Sequence, residues 1–158
     1  MIKDIVNSWV NDKKRLLVKS YESKVFGASG NWENDLETLV KVSPTRIRVV
    51  FLGSYYTQWL IPPGRSPNKD QSHVALAAFA VWAGNTWMKD WVNRSGLNVD
   101  PIGAAYNLGK KGKPVPNAMN QGGLITDVIN RDSIKQLAKD IGDFYIEQFK
   151  TDLRRLKI

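Results

Sequence analysis

The sequence predicts an α+β domain in which a small antiparallel sheet packs against a long central helix and against amphipathic helices at the N- and C-terminal ends. Three observations predict it. Apolar residues step by three and four at both ends of the chain, a β-branched run lies between them, and an almost wholly apolar stretch follows that run. Residues 1–158 form one domain on this reading, because a chain of 158 residues that is 42% hydrophobic is long enough to bury its own core.

Ile2, Ile5, Val6, Trp9, Leu16, Leu17 and Tyr21 fall mostly at helical steps with charges between them, which predicts an amphipathic helix over about residues 2–22. The GASGN segment breaks it, and the region from Trp32 to Leu39 is mixed in pattern. TRIRVVFLG, from Thr45, begins with polar–apolar alternation and turns continuously apolar, so it reads as a strand entered through a Ser43-Pro44 turn. YYTQWLI then continues as a second strand or extended edge. Pro62-Pro63 ends it, because proline donates no ladder hydrogen bond. Ser72 to Ser95 reads as the long central helix, with Gly96 as its stop. Asn98 to Gly123 is punctuated by glycine and proline, which predicts a loop with one helical turn near Ala104 to Leu108. Ile134, Leu137, Ala138, Ile141, Tyr145, Phe149, Leu153 and Leu156 mark the last helix, and Ser133 with Gln136 has capping-box spacing.

Composition excludes several function classes. With no cysteine there is no disulfide framework, thiolate nucleophile or sulfur-ligated zinc site. Charges run through the first residues, unlike a signal peptide, and VALAAFAVWAG is about half of the ~20 residues a membrane span needs, so a soluble, intracellular protein without membrane contact is expected. The formal charge of +8, from 23 basic and 15 acidic residues, favours polyanionic or acidic partners without implying sequence specificity.

Catalytic chemistry is poorly represented. His73 is the one histidine, and at the start of the apolar helix it reads as a capping or packing residue. Neither a G-x-S-x-G turn nor an H-E-x-x-H pair is present. Glu33, Asp35 and Glu37 form an acidic cluster that a helix N-terminus accounts for on dipole grounds alone. GAAYNLGKK superficially suggests a phosphate-binding loop, but five residues separate Gly103 from Gly109 where that motif needs four, and Lys111 occupies the metal-binding Ser/Thr position. These features predict no enzyme activity and no cofactor.

The order of the motifs carries more than any one of them. A small-residue turn and polar segment, ASGNWENDLETL, precede strands ending in an aromatic stretch, IRVVFLGSYYTQWLI. The GRSPN loop follows, then WVNRSGL, then the basic glycine turn in AAYNLGKKGKPVPN, and last the C-terminal amphipathic helix. In this order and spacing the chain resembles the tail-completion and head-to-tail connector proteins of long-tailed bacteriophages, the small neck or minor tail proteins. It departs from their pattern at Pro62-Pro63, at NKDQSH and in the wholly apolar VALAAFAVWAG. The resemblance implies a structural virion protein, built in the host cytoplasm, that forms a homo-oligomeric ring at the head–tail junction. Its partners would be portal or connector and tail proteins, with transient contact to the genomic DNA passing through.

On that reading Tyr55, Tyr56, Trp59 and Arg65 are candidates for an interface between subunits, with proline stiffening the loop and Arg65 offering a planar fork. The same aromatics equally suit the core face of a half-buried strand. Lys110, Lys111 and Lys113 are the candidate basic loop facing DNA or a partner. A small sequence-independent nucleic-acid-binding protein is the alternative reading, suggested by the charge and the interleaved aromatics.

Overall fold

A computed structural model of the chain describes residues 1–28, 31–53, 57–58, 60–65 and 87–156. In chain order the elements are α1 (Ile2–Lys24), α2 (Asn31–Asn34), β1 (Glu37–Ser43), β2 (Arg46–Leu52), β3 (Gly64–Arg65), α3 (Trp87–Ser95), α4 (Pro101–Lys111), β4 (Lys113–Pro114) and α5 (Arg131–Leu156). The fold is α+β, as the sequence predicts. Of the expected central helix, α3 is the described part. The rest of that expected helix, His73 and the apolar run included, lies outside the described residues.

The sheet differs from expectation in which strands pair. TRIRVVFLG does form a strand, β2, but its antiparallel partner is β1, in a register running from Glu37 opposite Leu52 to Ser43 opposite Arg46. The mixed region from Trp32 to Leu39 divides: Asn31–Asn34 coil into α2, and the alternation of ETLVKVS prevails beyond Leu36. YYTQWLI does not extend the sheet where it is described: Thr57 and Gln58 form a tight helical turn, closed by a hydrogen bond from the Leu60 amide to the Thr57 carbonyl (2.9 Å). Pro44 and Thr45 close the hairpin, and the Ser43 hydroxyl donates to the Arg46 carbonyl (2.8 Å).

The main core gathers around Trp32, which is 1% exposed, with Leu17, Tyr21, Leu36 and Leu124. Tyr21 stacks on the Trp32 ring at 4.8 Å between centroids, and the indole Nε1 donates to Thr57 Oγ1 (2.9 Å). An aromatic pair of this kind contributes about 0.5–1.5 kcal/mol beyond its buried area. Phe51 brings the base of the hairpin onto this core, and Ile125, Val128 and Ile129 close it from the segment before α5. A smaller cluster joins α3 to α4 through Met88, Val92 and Ala105.

α4 is longer than the single turn the sequence predicts. Asp100 is its N-cap, accepting from the Gly103 amide (2.7 Å), and Pro101 occupies the first helical position, where its missing N–H and fixed φ cost nothing. These two residues outweigh the glycines that argue for a loop. The start of α5 is likewise capped three residues earlier than expected. Asn130 Oδ1 accepts from the Ser133 amide (2.9 Å) while Ser133 Oγ accepts from the Asn130 amide (3.1 Å), so the box is Asn130–Ser133 rather than Ser133–Gln136.

Polar ties fix the long connections. Lys24 donates to the carbonyls of Gly122 and Gly123 and pairs with Asp127, holding the end of α1 against this turn. Gly123 has φ of 69°, in the left-handed region that favours glycine, and a Cβ there would sit 2.6 Å from Asp127 Oδ2, so a larger residue would strain the backbone and displace the Asp127 carboxylate. Buried Asn120 donates to the Leu60 carbonyl (2.9 Å), joining the same connection to the segment after the hairpin.

Candidate interaction surfaces

α5 has two apolar sides that meet different surroundings. Leu137, Ile141 and Phe144 are half-buried, and α5 packs along α1 through this region. Ser20 Oγ donates to the Leu124 carbonyl (3.0 Å) and Trp9 Nε1 to the Ser133 carbonyl (3.1 Å), so the two helices run in opposite directions. Seven residues of α1 precede Trp9, whereas 23 residues of α5 follow Ser133. At ~1.5 Å per residue, roughly 24 Å of α5 therefore extends past the start of α1. Tyr145, Phe149, Leu153 and Leu156 lie along a second stripe, about a third of a turn from the first, and are exposed, Phe149 at 65% and Leu156 at 80%. No residue of α5 is fully buried.

The β1–β2 hairpin also offers open surface. Alternation places Thr38, Val40, Val42, Ile47, Val49 and Phe51 on one face, which rests on the core at Phe51 and opens outward to exposed Val42. The other face carries exposed Leu39 and Leu52 near its base and exposed Lys41, Arg46 and Arg48 toward its turn. Lys41 stands directly opposite Arg48 in the register. These three cations are not among the residues singled out from sequence, although the alternation in TRIRVV sets Arg46 and Arg48 on one face.

The residues singled out from sequence are distributed differently from expectation. Tyr55, Tyr56 and Trp59 lie outside the described residues, as does the side chain of Arg65. The Arg65 backbone belongs to β3 and pairs with Lys113 of β4, so the GRSPN loop begins beside the KKGKP turn. Gly64 is required there: a Cβ would lie 2.3 Å from the Lys113 carbonyl oxygen, and φ is 84°.

The basic loop of Lys110, Lys111 and Lys113 is corrected in its secondary structure. Lys110 and Lys111 form the last turn of α4, where cations favour the helix dipole, and Lys113 is in β4. Lys110 lies over the Tyr106 ring (5.7 Å), and the half-buried Lys113 contacts Met119 Sδ (3.2 Å).

A shallow depression of about 440 Å³ lies between the end of α1 and Arg94, lined by Glu22, Lys24, Phe26, Met119 and Gln121 among others. Arg94 there donates to the Gly27 carbonyl (3.3 Å). Two carboxyls titrate below their ordinary range, both from local helix pairs outside this depression. Asp12 is lowered by the hydrogen bond from Arg15, and Glu147 by the hydrogen bond from Lys150. Among the described residues no three His, Asp or Glu side chains are grouped to hold a metal ion, and no helix is long and apolar enough to cross a membrane. No family model, curated protein or solved structure matches the chain.

Proposed function

We propose that this chain is a structural virion protein that assembles as a closed homo-oligomeric ring at the phage head–tail junction, joining the portal or connector to the tail around the DNA channel. The observation that carries the reading is the exposed apolar stripe of α5. A helix that commits one side to its own α1 and leaves Tyr145, Phe149, Leu153 and Leu156 open is built to be covered by another chain. The order of sequence motifs, which resembles phage neck proteins, supplies the setting.

The mechanism is geometric rather than chemical. Subunits meeting through unlike surfaces generate a ring when the rotation between them closes. The α5 stripe of one copy meets a neighbour, and the Tyr55 to Asn68 segment lies at a subunit or partner boundary. Imaging of assembled particles tests this: several copies should surround the tail axis, with the C-terminal half of α5 against another chain. Copies whose α5 stripe faces solvent all around the axis would remove the basis of the proposal. A small nucleic-acid-binding protein is the second reading, favoured by the three cations on the outer face of the hairpin.

A further inference from the structure

We infer that the outer face of the β1–β2 hairpin, through Lys41, Arg46 and Arg48, is the surface that contacts the phosphate backbone of duplex nucleic acid. Part of the positive charge is held in ion pairs, and the unpaired remainder among the described residues, such as Lys3, Lys19, Lys89 and Lys139, is dispersed along α1, α3 and α5 rather than opposed on one face. Lys13 and Arg15 pair with Asp12, Lys24 with Asp127, Lys135 with Asp132, Lys150 with Glu147 and Arg155 with Asp152. Of the sequence candidates Lys110, Lys111 and Lys113, Lys110 lies over Tyr106 and Lys113 against Met119, while Lys111 is exposed in the last turn of α4. Lys41, Arg46 and Arg48 are exposed and have no ion-pair partner among the described residues.

Their arrangement is costly unless an anion relieves it. Lys41 and Arg48 are direct cross-strand partners, and like charges in that position destabilise a hairpin. Arg46 adds a third positive charge two residues along the same face of β2, about 7 Å away. The nearest acid on that face, Glu37, is at the far end of β1 beside Leu52. Charged residues on a sheet edge also deter pairing with other strands, and that role alone would account for one or two of them. It does not require three on one face.

Duplex nucleic acid is the occupant whose charge density suits the cluster. It presents one negative charge per ~1.7 Å of axis, so a narrow ribbon meets several phosphates at once. A two-stranded ribbon is also one of the two protein elements that the major groove of B-DNA admits. The proposed contact is to the phosphate backbone, the sequence-independent term that a cluster of exposed cations supplies. The inference does not depend on the ring: it holds equally for a subunit lining a DNA channel and for a monomeric nucleic-acid-binding protein.

The experiment is fluorescence-anisotropy titration of a mixed-sequence DNA duplex with the whole chain between 50 and 200 mM salt. It compares the parent protein with the triple variant Lys41→Ala/Arg46→Ala/Arg48→Ala and with Lys110→Ala/Lys111→Ala/Lys113→Ala. Each phosphate contact contributes ~0.9 to the slope of log affinity against log salt. The hairpin variant should therefore lose about 2.7 from the slope, close to a 40-fold difference in salt sensitivity over that range, while the second variant loses less than ~1. Arg46→Lys/Arg48→Lys should retain the slope, and circular dichroism should show the folded helices in every variant. Absence of DNA binding by the parent at 50 mM salt, an unchanged slope in the hairpin variant, or a larger loss from the Lys110 group would each overturn the inference. So would equal affinity of the hairpin for poly-glutamate, which would make it a docking face for acidic protein. Ring assembly is read separately by imaging, so loss of one result leaves the other standing.

Discussion

α1 and α5 are helices of 23 and 26 residues with the same three- and four-residue stepping of apolar side chains, yet α1 buries Val6, Val10, Leu17 and Tyr21 whereas α5 fully buries nothing. Amphipathicity therefore states that a helix needs a partner without stating whether its own chain supplies one. α1 finds Trp32, Leu36 and Leu124 within the chain. α5 finds α1 for its first half and leaves the rest open, which is the basis for proposing that its open stripe serves assembly.

The largest effect that would break this comparison is in the core. Leu17→Ala should destabilise the chain by about 2–5 kcal/mol, read by urea unfolding, because Leu17 is 2% exposed in the Trp32 cluster and its removal leaves a cavity. Phe149→Ala should change stability by less than about 0.5 kcal/mol although a larger side chain is removed, since it is open to solvent in the single chain. If the proposed ring forms through this stripe, Phe149→Glu should abolish its assembly, read by imaging, with the fold retained. Equal destabilisation by Leu17→Ala and Phe149→Ala would mean that α5 is covered within one chain after all.

How much was legible follows the same physics. α1, β2 and α5 were readable because period and composition agree in each. β1 was not, because Glu33 to Leu39 satisfies a helical and a strand pattern at once, and pairing with β2 decides between them. α4 was obscured because Gly103 and Gly109 argue for a loop, while the Asp100-Pro101 start signal in the same segment argues for a helix and prevails. The open stripe of α5 was not readable at all: Tyr145 and Tyr21 look alike in sequence and differ in exposure, 53% against 5%. Ion pairing, which separates Lys41 from Lys24, is likewise a property of the folded chain.

Two smaller changes sharpen the comparison where the helices join. Asn130→Ala removes the acceptor for the Ser133 amide and should cost about 1 kcal/mol, with loss of order concentrated at the start of α5. Trp9→Phe removes the indole donor to the Ser133 carbonyl and should cost about 0.5–1.5 kcal/mol in the same unfolding measurement. If α1 supports the first half of α5, both variants should raise amide exchange in residues 131–144. An increase confined to α1 would contradict that dependence.

The smallest effect concerns pH. Asp12 in α1 and Glu147 in α5 are both held below their ordinary values, of 3.8 and 4.5, first by hydrogen bonds from Arg15 and Lys150 and then by neighbouring positive charge. A carboxyl depressed in the folded state contributes stability above its unfolded value, and that contribution is lost as pH falls through the lowered folded value. The window is therefore acidic, beginning near the ordinary values and extending below them. Asp12 is largely solvated, so after screening its pair is worth less than about 0.5 kcal/mol, and ~1 M salt should remove most of that. The local consequence should differ between the helices. α1 is pinned by four apolar side chains and keeps its amide protection when Asp12 is protonated. Residues 145–156 lack that support, so protonating Glu147 should loosen them first. Hydrogen exchange at pH 3 and pH 7, compared after correction for intrinsic rates, should show protection falling more in residues 145–156 than around Asp12; an equal fall in both would mean that burial does not separate the two helices.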